Sequence, residues 1–308
     1  MKTAFLFPGQ GAQRPGMLRD LEGLPGAAEL LDRASAVLGR DVREDDDETL
    51  LRSTEAAQRA LFVAGVASAR ALIARGVTAD AVAGHSIGAF GAAVMAGVLT
   101  FEDGLRMVAI RGRLMAEAFP TGYGMGSIAG LDARAVTALT VAASNRRYPV
   151  YAANINAPDQ IAIAGANEAV ATVLATARAQ GARSTRRLDV VVPSHTPLMD
   201  HVAATLMLAL EDVSILAPSI AYATNADGIV TRDEARVKHD LGTSVATPVM
   251  WADASRSLFD DGVRLFIEMQ PGNALSELAS RAFPDARSVA LEIEGIDAVV
   301  SLAEYERD

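Results

Sequence analysis

The chain has 308 residues, half of them hydrophobic, which is enough for one large domain or a large domain with a smaller insert. The absence of cysteine excludes disulfides, thiolate metal ligands and a cysteine nucleophile. The formal net charge of −10 argues against a nucleic-acid partner, because phosphate backbones bind basic surfaces. With no signal-peptide pattern and no apolar run of membrane-spanning length, we expect a cytoplasmic protein that contacts no membrane.

The first part of the chain alternates predicted strands and predicted helices. TAFLF at residues 3–7 is a short apolar run closed by PGQG, which predicts a buried strand followed by a tight turn. Helical patterns follow over 27–38 and 55–75, and DAVAG at 80–84 predicts a second strand. The acidic run 44–48 lacks the spaced ligands and the glycine of a calcium loop, so we interpret it as a solvated loop.

A different order of elements follows the amphipathic helix predicted over 102–119. Residues 126–192 give the order β-α-β-β-α-β, which is typical of a ferredoxin-like arrangement and predicts a small inserted domain. A buried strand at 265–269, followed by a turn and a helix start, returns to the earlier pattern. We therefore predict an α/β fold whose main domain, residues 1–125 and 193–308, is built on a parallel sheet.

GHSIG at residues 84–88 places Ser86 between two glycines, directly after a predicted strand and before a predicted helix. That order is the context of a nucleophile elbow, in which glycines let the turn tighten and expose the serine hydroxyl. The backbone N–H of Ile87 would then point at an oxyanion on the attacked carbonyl. The alternative is a buried serine where a strand packs tightly on a helix.

A serine nucleophile needs a base, and the chain offers four histidines. His195 follows a strand end and precedes a helix, where α/β folds keep functional groups, so it is the preferred candidate. His85 is adjacent to Ser86 in the chain and is expected to pack or hydrogen-bond beneath the turn. The sequence leaves two kinds of candidate for the group that orients the base. One is a backbone carbonyl, and the other is one of three aspartates, Asp132, Asp159 and Asp189.

Two further residues could contribute to such a site. Arg111 lies in an apolar stripe of its helix, where an unpaired charge is costly, so it is either a structural ion pair or a clamp for a substrate carboxylate. Gln10, in the glycine-containing loop PGQG, could supply a second oxyanion N–H.

Six motifs occur in an order that resembles the malonyl-CoA:acyl-carrier-protein transacylases, and the resemblance covers nearly the whole chain. They are FPGQGAQ at the N-terminus, Q-x-A-L at 58–61, GHSIG, RG-x-x-M at 111–115, N-x-N-x-P-x-Q-x-x-I-A-G at 154–165 and PSH-x-x-LM at 193–199. The resemblance implies an α/β-hydrolase-like core with a ferredoxin-like insert.

The resemblance also implies roles for individual residues. Ser86 would be the acylated nucleophile and His195 its base. Arg111 would pair with the malonyl carboxylate, and Gln10 and Ile87 would supply oxyanion amides. Three supporting positions are implied as well: Gln58 and Asn156 lie in matched motifs, and a main-chain carbonyl at Asp261 would orient the histidine.

The implied activity is transfer of a malonyl group from malonyl-CoA, a CoA thioester, to a phosphopantetheine-type arm on a small acyl-carrier protein, without a metal or other cofactor. One position departs from the fatty-acid enzymes, which usually carry glutamate where this chain has Ala89. With Ala89 in GHSIGAF, the chain looks most like the epsilon subunit of bacterial malonate decarboxylase, which predicts that enzyme's carrier subunit as acceptor.

Three alternatives remain open at this point. One is a transacylase of fatty-acid or polyketide synthesis, another is a serine hydrolase, and the third is a non-catalytic assembly subunit. For the carrier or the CoA phosphates, Arg183, Arg186 and Arg187 are candidate contacts, against the simpler interpretation that they line a solvated strand edge.

Overall fold

The computed structural model describes residues 1–119 and 121–306, and in these ranges ten strands form two sheets. The strands are, in chain order, β1 (Lys2–Phe7), β2 (Ala81–Gly84), β3 (Tyr123–Ala129), β4 (Val150–Ala157), β5 (Gln160–Ala166), β6 (Ser184–Leu188), β7 (Ala221–Ala223), β8 (Val230–Thr231), β9 (Val263–Glu268) and β10 (Arg287–Ala290).

Twelve α-helices of the described residues cover these sheets. They are α1 (Ala27–Leu38), α2 (Thr54–Ala74), α3 (Gly88–Met95), α4 (Phe101–Ala118), α5 (Ala133–Ala143), α6 (Asn167–Ala179), α7 (Asp200–Ala209), α8 (Glu234–Thr243), α9 (Trp251–Asp260), α10 (Ala274–Ala282), α11 (Leu291–Glu294) and α12 (Ile296–Tyr305).

The large sheet has the strand order β10-β9-β1-β2-β7-β8, and its strands are parallel except for the edge strand β8. Along β1, Phe5 and Phe7 belong to the core on one face while Ala4 and Leu6 belong to the core on the other. A parallel sheet buried on both faces needs such a continuous apolar run, which confirms the predicted α/β class. In the register of β1 and β2, Phe7 pairs with Gly84, so the loops that follow both strands leave the same edge.

The small sheet is antiparallel, in the order β4-β5-β3-β6, with α5 and α6 packed against its apolar side chains. The order of its elements is β-α-β-β-α-β, as expected. Its first strand begins at Tyr123, ahead of residue 126, where we place the start of the small domain from the sequence. The glycines there serve close packing, since a Cβ on Gly124 would lie 2.9 Å from the Asn167 side chain and one on Gly126 would lie 3.0 Å from Leu174.

Helix α2 is the central helix of the main domain and packs against α1, α3 and α4. By length and hydropathy alone it could cross a membrane, but 89% of its most apolar window is buried inside the fold. This burial is what a core helix shows, and it explains why the helix is apolar around most of its circumference.

The acidic run 44–48 is not simply a solvated loop, and our interpretation was wrong for two of its residues. Asp45 and Asp46 are fully buried. Asp45 accepts from Arg59 Nε and Nη2 at 2.7 and 2.9 Å and also pairs with Arg40. Asp46 Oδ2 accepts from the backbone amides of Leu18 and Arg19. These carboxylates tie the segment to α2 and to the N-terminal loop, since buried charges require such partners.

Candidate active site

Ser86 sits on a sharp turn between β2 and α3, with φ of 55°. The flanking glycines make this turn physically possible. A Cβ on Gly84 would lie 2.1 Å from the carbonyl carbon of Gly88, and a Cβ on Gly88 would lie 2.2 Å from the Phe7 carbonyl oxygen. The structure therefore has the strand–turn–helix geometry that the motif predicted, with the hydroxyl turned toward a cleft rather than packed away.

His195 lies opposite the serine, in the loop between β6 and α7. Its Nε2 is 2.8 Å from Ser86 Oγ, while Nδ1 is 2.6 Å from the carbonyl oxygen of Ser244 and 3.2 Å from that of Thr247. Because carbonyl oxygens only accept, Nδ1 carries the proton and Nε2 is free to accept the serine proton. Ser86 and His195 are the two non-glycine residues with positive φ in the described ranges, and strain of this kind is common at functional sites.

The carbonyl that orients His195 belongs to Ser244, and our placement of it at Asp261 was wrong. Asp261 instead caps the C-terminus of α9, and its carboxylate forms an exposed ion pair of 2.9 Å with Lys2. The three candidate aspartates are not at Nδ1 either. Asp132 caps α5, Asp159 pairs with Arg183, and Asp189 is exposed. A main-chain carbonyl therefore does what an acid does in many triads.

Burial controls the charge of the histidine. His195 is 2% exposed, and this desolvation, together with the nearby positive charge of Arg111, lowers its pKa to about 3. The imidazole is thus neutral at physiological pH, which is the state that a general base requires.

Arg111 reaches the Ser86 hydroxyl from α4. Its Nη2 donates to Ser86 Oγ at 3.1 Å and its Nη1 donates to Gln58 Oε1 at 2.7 Å, while Nε has no hydrogen-bond partner. Gln58 is itself held by Met115, whose sulfur accepts from its Nε2 at 3.3 Å. Burial lowers the pKa of Arg111 to about 10, which still leaves it charged near neutral pH.

The arginine therefore lies in a dry site with neutral partners only. Arg111 is 1% exposed, and within the described ranges no carboxylate pairs with it. A structural ion pair, the first alternative we considered for Arg111, is absent from this part of the chain. A guanidinium in this position is suited to an incoming carboxylate, which it can bind through two parallel hydrogen bonds.

The amides of Gln10 and Ile87 lie in loops that leave the same edge of the large sheet. Gln10 follows β1 and Ile87 begins the turn into α3, and in the described residues nothing accepts a hydrogen bond from either amide. The loop carrying Gln10 comes close because Gly9 has no side chain, since a Cβ there would lie 2.8 Å from His85. Two free N–H groups beside a serine hydroxyl suit an oxyanion.

His85 packs and hydrogen-bonds beneath the serine turn, as expected. Its Nε2 is 2.9 Å from Asn156 Oδ1, and its ring lies against Trp251 with centroids 5.6 Å apart. Burial lowers its pKa. Asn156 belongs to β4, so this contact joins the small sheet to the serine turn. Asn154 separately joins the small sheet to the segment before α9, through a parallel bridge with Val249.

A cleft leads away from the serine. A cavity of about 60 Å³ is bounded by Ser86, His195, Gln58 and Met115, and a larger one of about 410 Å³ adjoins it. The two share four lining residues, Gln10, His85, Asn154 and Leu188. The small cavity matches a short acyl group, and the larger one continues as a channel past Arg186.

Comparisons with known proteins agree with this geometry. Residues 4–308 match the acyl transferase domain family. The chain is 35% identical over 298 residues to the malonyl CoA-acyl carrier protein transacylase of Haemophilus influenzae, covering 94% of this chain and 95% of that protein. It is 34% identical over 313 residues to that of Bacillus subtilis, covering 100% and 99%.

The chain belongs to the acyltransferase family of malonyl-CoA:acyl-carrier-protein transacylases. Solved members share its two-sheet fold. FabD from Acinetobacter baumannii superposes with a TM-score of 0.94 at 34% identity, covering 99% of each chain. A malonyl-transacylase solved in complex with its type II polyketide acyl-carrier protein, PlMCAT with AntF, gives a TM-score of 0.92 at 32% identity, covering 100% of each chain. These relatives favour the fatty-acid and polyketide alternative over malonate decarboxylase as the functional assignment.

Sequence reasoning missed two residues that contact the pair directly. Asn225 Oδ1 accepts the backbone N–H of Ser86 at 2.9 Å, and Ser244 supplies the carbonyl described above. Asn225 follows β7, the neighbour of β2, so a polar residue at a second strand end was an available signal. Ser244 acts through its backbone, which carries no sequence signal.

Proposed function

We propose that this protein transfers a malonyl group from malonyl-CoA to the thiol of a phosphopantetheine-type arm on an acyl-carrier protein, through a malonyl ester on Ser86. The observation that carries the proposal is the double contact of Ser86 Oγ, with His195 Nε2 at 2.8 Å and Arg111 Nη2 at 3.1 Å. One contact supplies a base, and the other supplies a cation where a malonyl carboxylate would lie.

In the first half-reaction, His195 Nε2 takes the proton of Ser86 Oγ while that oxygen bonds to the thioester carbonyl carbon. The carbonyl oxygen becomes an oxyanion that the amides of Gln10 and Ile87 stabilise. When the tetrahedral intermediate collapses, the carbon–sulfur bond breaks and His195 returns the proton to the sulfur. CoA leaves as a thiol and the serine carries the malonyl ester.

The second half-reaction runs the same steps in reverse with a different thiol. His195 takes the proton of the acceptor thiol, and the sulfur attacks the ester carbonyl carbon. The bond between carbon and Ser86 Oγ breaks, and the histidine protonates the serine. Donor and acceptor thus use one site in turn, which predicts ping-pong kinetics. None of these steps requires a metal or a redox cofactor.

Selection of malonyl over neutral acyl groups follows from Arg111. A malonyl carboxylate would replace the contact of its guanidinium with Ser86 Oγ and free the hydroxyl to attack. An acetyl group has no carboxylate, so it would leave the buried cation with neutral partners only. Gln58, which accepts from Nη1, would hold the guanidinium plane in place.

The channel of about 410 Å³ would admit the thiol arm of either substrate. Exposed Arg186 lines it and is placed to meet phosphate or an acidic carrier, whereas Arg183 and Arg187 are engaged by Asp159 and Asn167. The relative solved in complex with an acyl-carrier protein supports a carrier of this kind as the partner.

A second acceptor, the carrier subunit of malonate decarboxylase, is favoured by one residue. Ala89 is fully buried in the apolar core at the first turn of α3, directly after the serine motif, where the fatty-acid enzymes usually have glutamate. The methyl group fits this core and a carboxylate would have to find partners there. Both acceptors use the same malonyl-serine chemistry, so the donor half-reaction does not distinguish them.

The test is intact-mass measurement after mixing the protein with malonyl-CoA, with Ser86→Ala as the control. The proposal expects one malonyl adduct on the wild type and none on the variant, and an unmodified wild type would contradict it and favour a non-catalytic subunit. Adding acyl-carrier protein or the decarboxylase carrier separately then shows which thiol discharges the ester. An ester that is lost to water as fast as to either carrier would indicate a hydrolase instead.

A further inference from the structure

Beyond the residues that touch substrate, a buried polar chain connects both members of the Ser86–His195 pair to helix α8. On the serine side it begins at Asn225, which is 2% exposed and whose Oδ1 accepts the Ser86 N–H at 2.9 Å. Ser86 adopts a positive φ that a serine rarely takes, so something must hold its peptide group in this orientation. In the described residues, the next amide, that of Ile87, donates to no backbone carbonyl.

The orientation of the Asn225 amide is fixed by Asp240 on α8. Asn225 Nδ2 donates to Asp240 Oδ2 at 3.3 Å. A carboxylate only accepts, so the NH₂ group must face Asp240 and the amide oxygen must face Ser86. Asp240 is 2% exposed, and its Oδ1 accepts from the backbone amides of Asn225 and Ala226 at 2.9 and 3.0 Å. Tyr222 donates its hydroxyl to Oδ2 at 3.1 Å.

The same helix end holds the histidine. The backbone carbonyl of Asp240 accepts from the amide of Ser244 at 2.9 Å, and the carbonyl of Ser244 accepts from His195 Nδ1 at 2.6 Å. The next residue, Val245, accepts the backbone N–H of His195 at 2.7 Å. A closed circuit of hydrogen bonds therefore runs from Ser86 through Asn225, α8 and Ser244 to His195 and back.

We propose that Asp240 and Asn225 are positioning residues for the transfer reaction, and that α8 sets the separation of Ser86 and His195 by holding one through Asn225 and the other through Ser244. The proposal rests on the proposed function, in which Ser86 is the nucleophile. Misplacing a nucleophile by about 1 Å can lower a rate by about 10²-fold, so removing the circuit should slow malonylation by that order.

The variants Asn225→Ala and Asp240→Asn test it. The first removes the acceptor of the Ser86 amide, and the second removes the group that orients Asn225. The measurement is the single-turnover rate of Ser86 malonylation at saturating malonyl-CoA, followed by quenched intact mass. We expect a fall of about 10²-fold in this rate. The KM for malonyl-CoA should change little, since Arg111 and the channel are untouched.

Asp46→Asn is the matched control. Asp46 is also a fully buried carboxylate that accepts two backbone amides, but it lies in the segment before α2, away from the serine. A loss of stability alone would make Asp46→Asn and Asp240→Asn behave alike, with melting temperatures lowered and malonylation per folded molecule unchanged. That result would overturn the proposal.

The double variant Asn225→Asp with Asp240→Asn gives a sharper test, because it exchanges the two groups. The carboxylate at 225 can accept from Ser86 N–H and from the amide NH₂ at 240, while the amide oxygen at 240 accepts the two backbone N–H groups. We expect malonylation at least about tenfold faster than in Asp240→Asn. Absence of rescue, with the double variant folded, would contradict the orienting role.

These experiments distinguish failure of the positioning role from failure of the proposed function. If wild-type protein gains no malonyl group, the proposed function fails. If the wild type is malonylated and Asn225→Ala reacts at the wild-type rate, the positioning role fails while the function stands. Should Asp240→Asn not fold, Asn225→Ala decides, because it leaves Asp240 the two backbone amides that it accepts.

Discussion

The two walls of the cleft differ in how much their side chains are exposed to solvent. The wall from the main domain, called here the reaction wall, consists of Ser86, His195, Arg111 and Gln58. His195, Arg111 and Gln58 are at most 2% exposed, and each of the four is fixed by hydrogen bonds of 3.1 Å or less.

The opposite wall, called here the small-domain wall, consists of Asn154, Asn156, Arg186 and Leu188. Asn154 is 7% exposed, Asn156 and Leu188 are half-buried, and Arg186 is exposed. The contrast indicates that the two walls have different functions. Dry, preorganised groups suit bond making, whereas an open wall suits two different thiol carriers that must enter and leave in turn.

The largest expected effect comes from removing Ser86 or His195, the proposed nucleophile and base, from the reaction wall. Ser86→Ala and His195→Ala should each lower the transfer rate by at least about 10⁴-fold, because these two groups act as a unit. Steady-state transfer from malonyl-CoA to carrier measures it. Ser68→Ala is the control, since Ser68 is a fully buried serine in α2 that lines neither cavity of the cleft and should leave transfer unchanged. Near-normal transfer by either site variant would remove the reaction wall from the chemistry.

The next effect concerns specificity and comes from Arg111. Arg111→Met should lower kcat/KM for malonyl-CoA by about 10²–10³-fold, the usual result of losing one partner of a buried charge pair. The rate with acetyl-CoA should not fall, because no carboxylate is lost there. Arg113→Met, an exposed arginine on the same helix, is the control. Equal losses for both thioesters would show that Arg111 supports the fold rather than selects the acyl group.

How much of this site the sequence predicts depends on whether a residue acts through its own local pattern. Ser86 is predictable because strand, glycine turn and helix are consecutive in the chain, and His195 because it lies between a strand end and a helix start. Asn225 follows a strand end, but only the order of strands in the sheet, which a single sequence does not encode locally, places it beside Ser86. Ser244 acts through its backbone carbonyl. The misplaced Asp261 has the same cause, because a backbone carbonyl leaves no signature in side-chain identity.

Prediction of the fold from the sequence is limited in the same way, to features that depend on local patterns. Both sheets were predictable from the apolar runs and from the order of elements, since strand and helix periods are local properties. The acidic run was misjudged because its partner, Arg59, lies 14 residues away from Asp45 on α2. Charge clusters look alike in sequence whether water or arginine surrounds them.

The burial of His195 in the reaction wall also predicts that the protein loses stability at acidic pH. His195 has a pKa of about 3 in the folded protein and about 6.5 unfolded, so between these values unfolding takes up a proton. Stability is then present above pH 6.5 and is lost as the pH falls, by up to about 1.4 kcal/mol per pH unit for this one group. His195→Gln should flatten the fall between pH 6.5 and 4, measured by urea unfolding. The same substitution at exposed His201 is the control, and parallel curves for wild type and His195→Gln would show that His195 is not desolvated.

The smallest effect is expected on the small-domain wall, where Arg186→Ala should raise the KM for the carrier about threefold and leave the malonylation of Ser86 unchanged. An exposed charge on the rim of a site changes the rate of encounter more than the chemistry, and its effect fades as salt screens it. Arg187→Ala is the matched control, because Arg187 is the adjacent exposed arginine but donates to Asn167 at 2.6 Å. Carrier kinetics at low and at physiological ionic strength measure the effect. If Arg186→Ala instead slowed malonylation itself, the small-domain wall would take part in bond making, and the division between the two walls would be wrong.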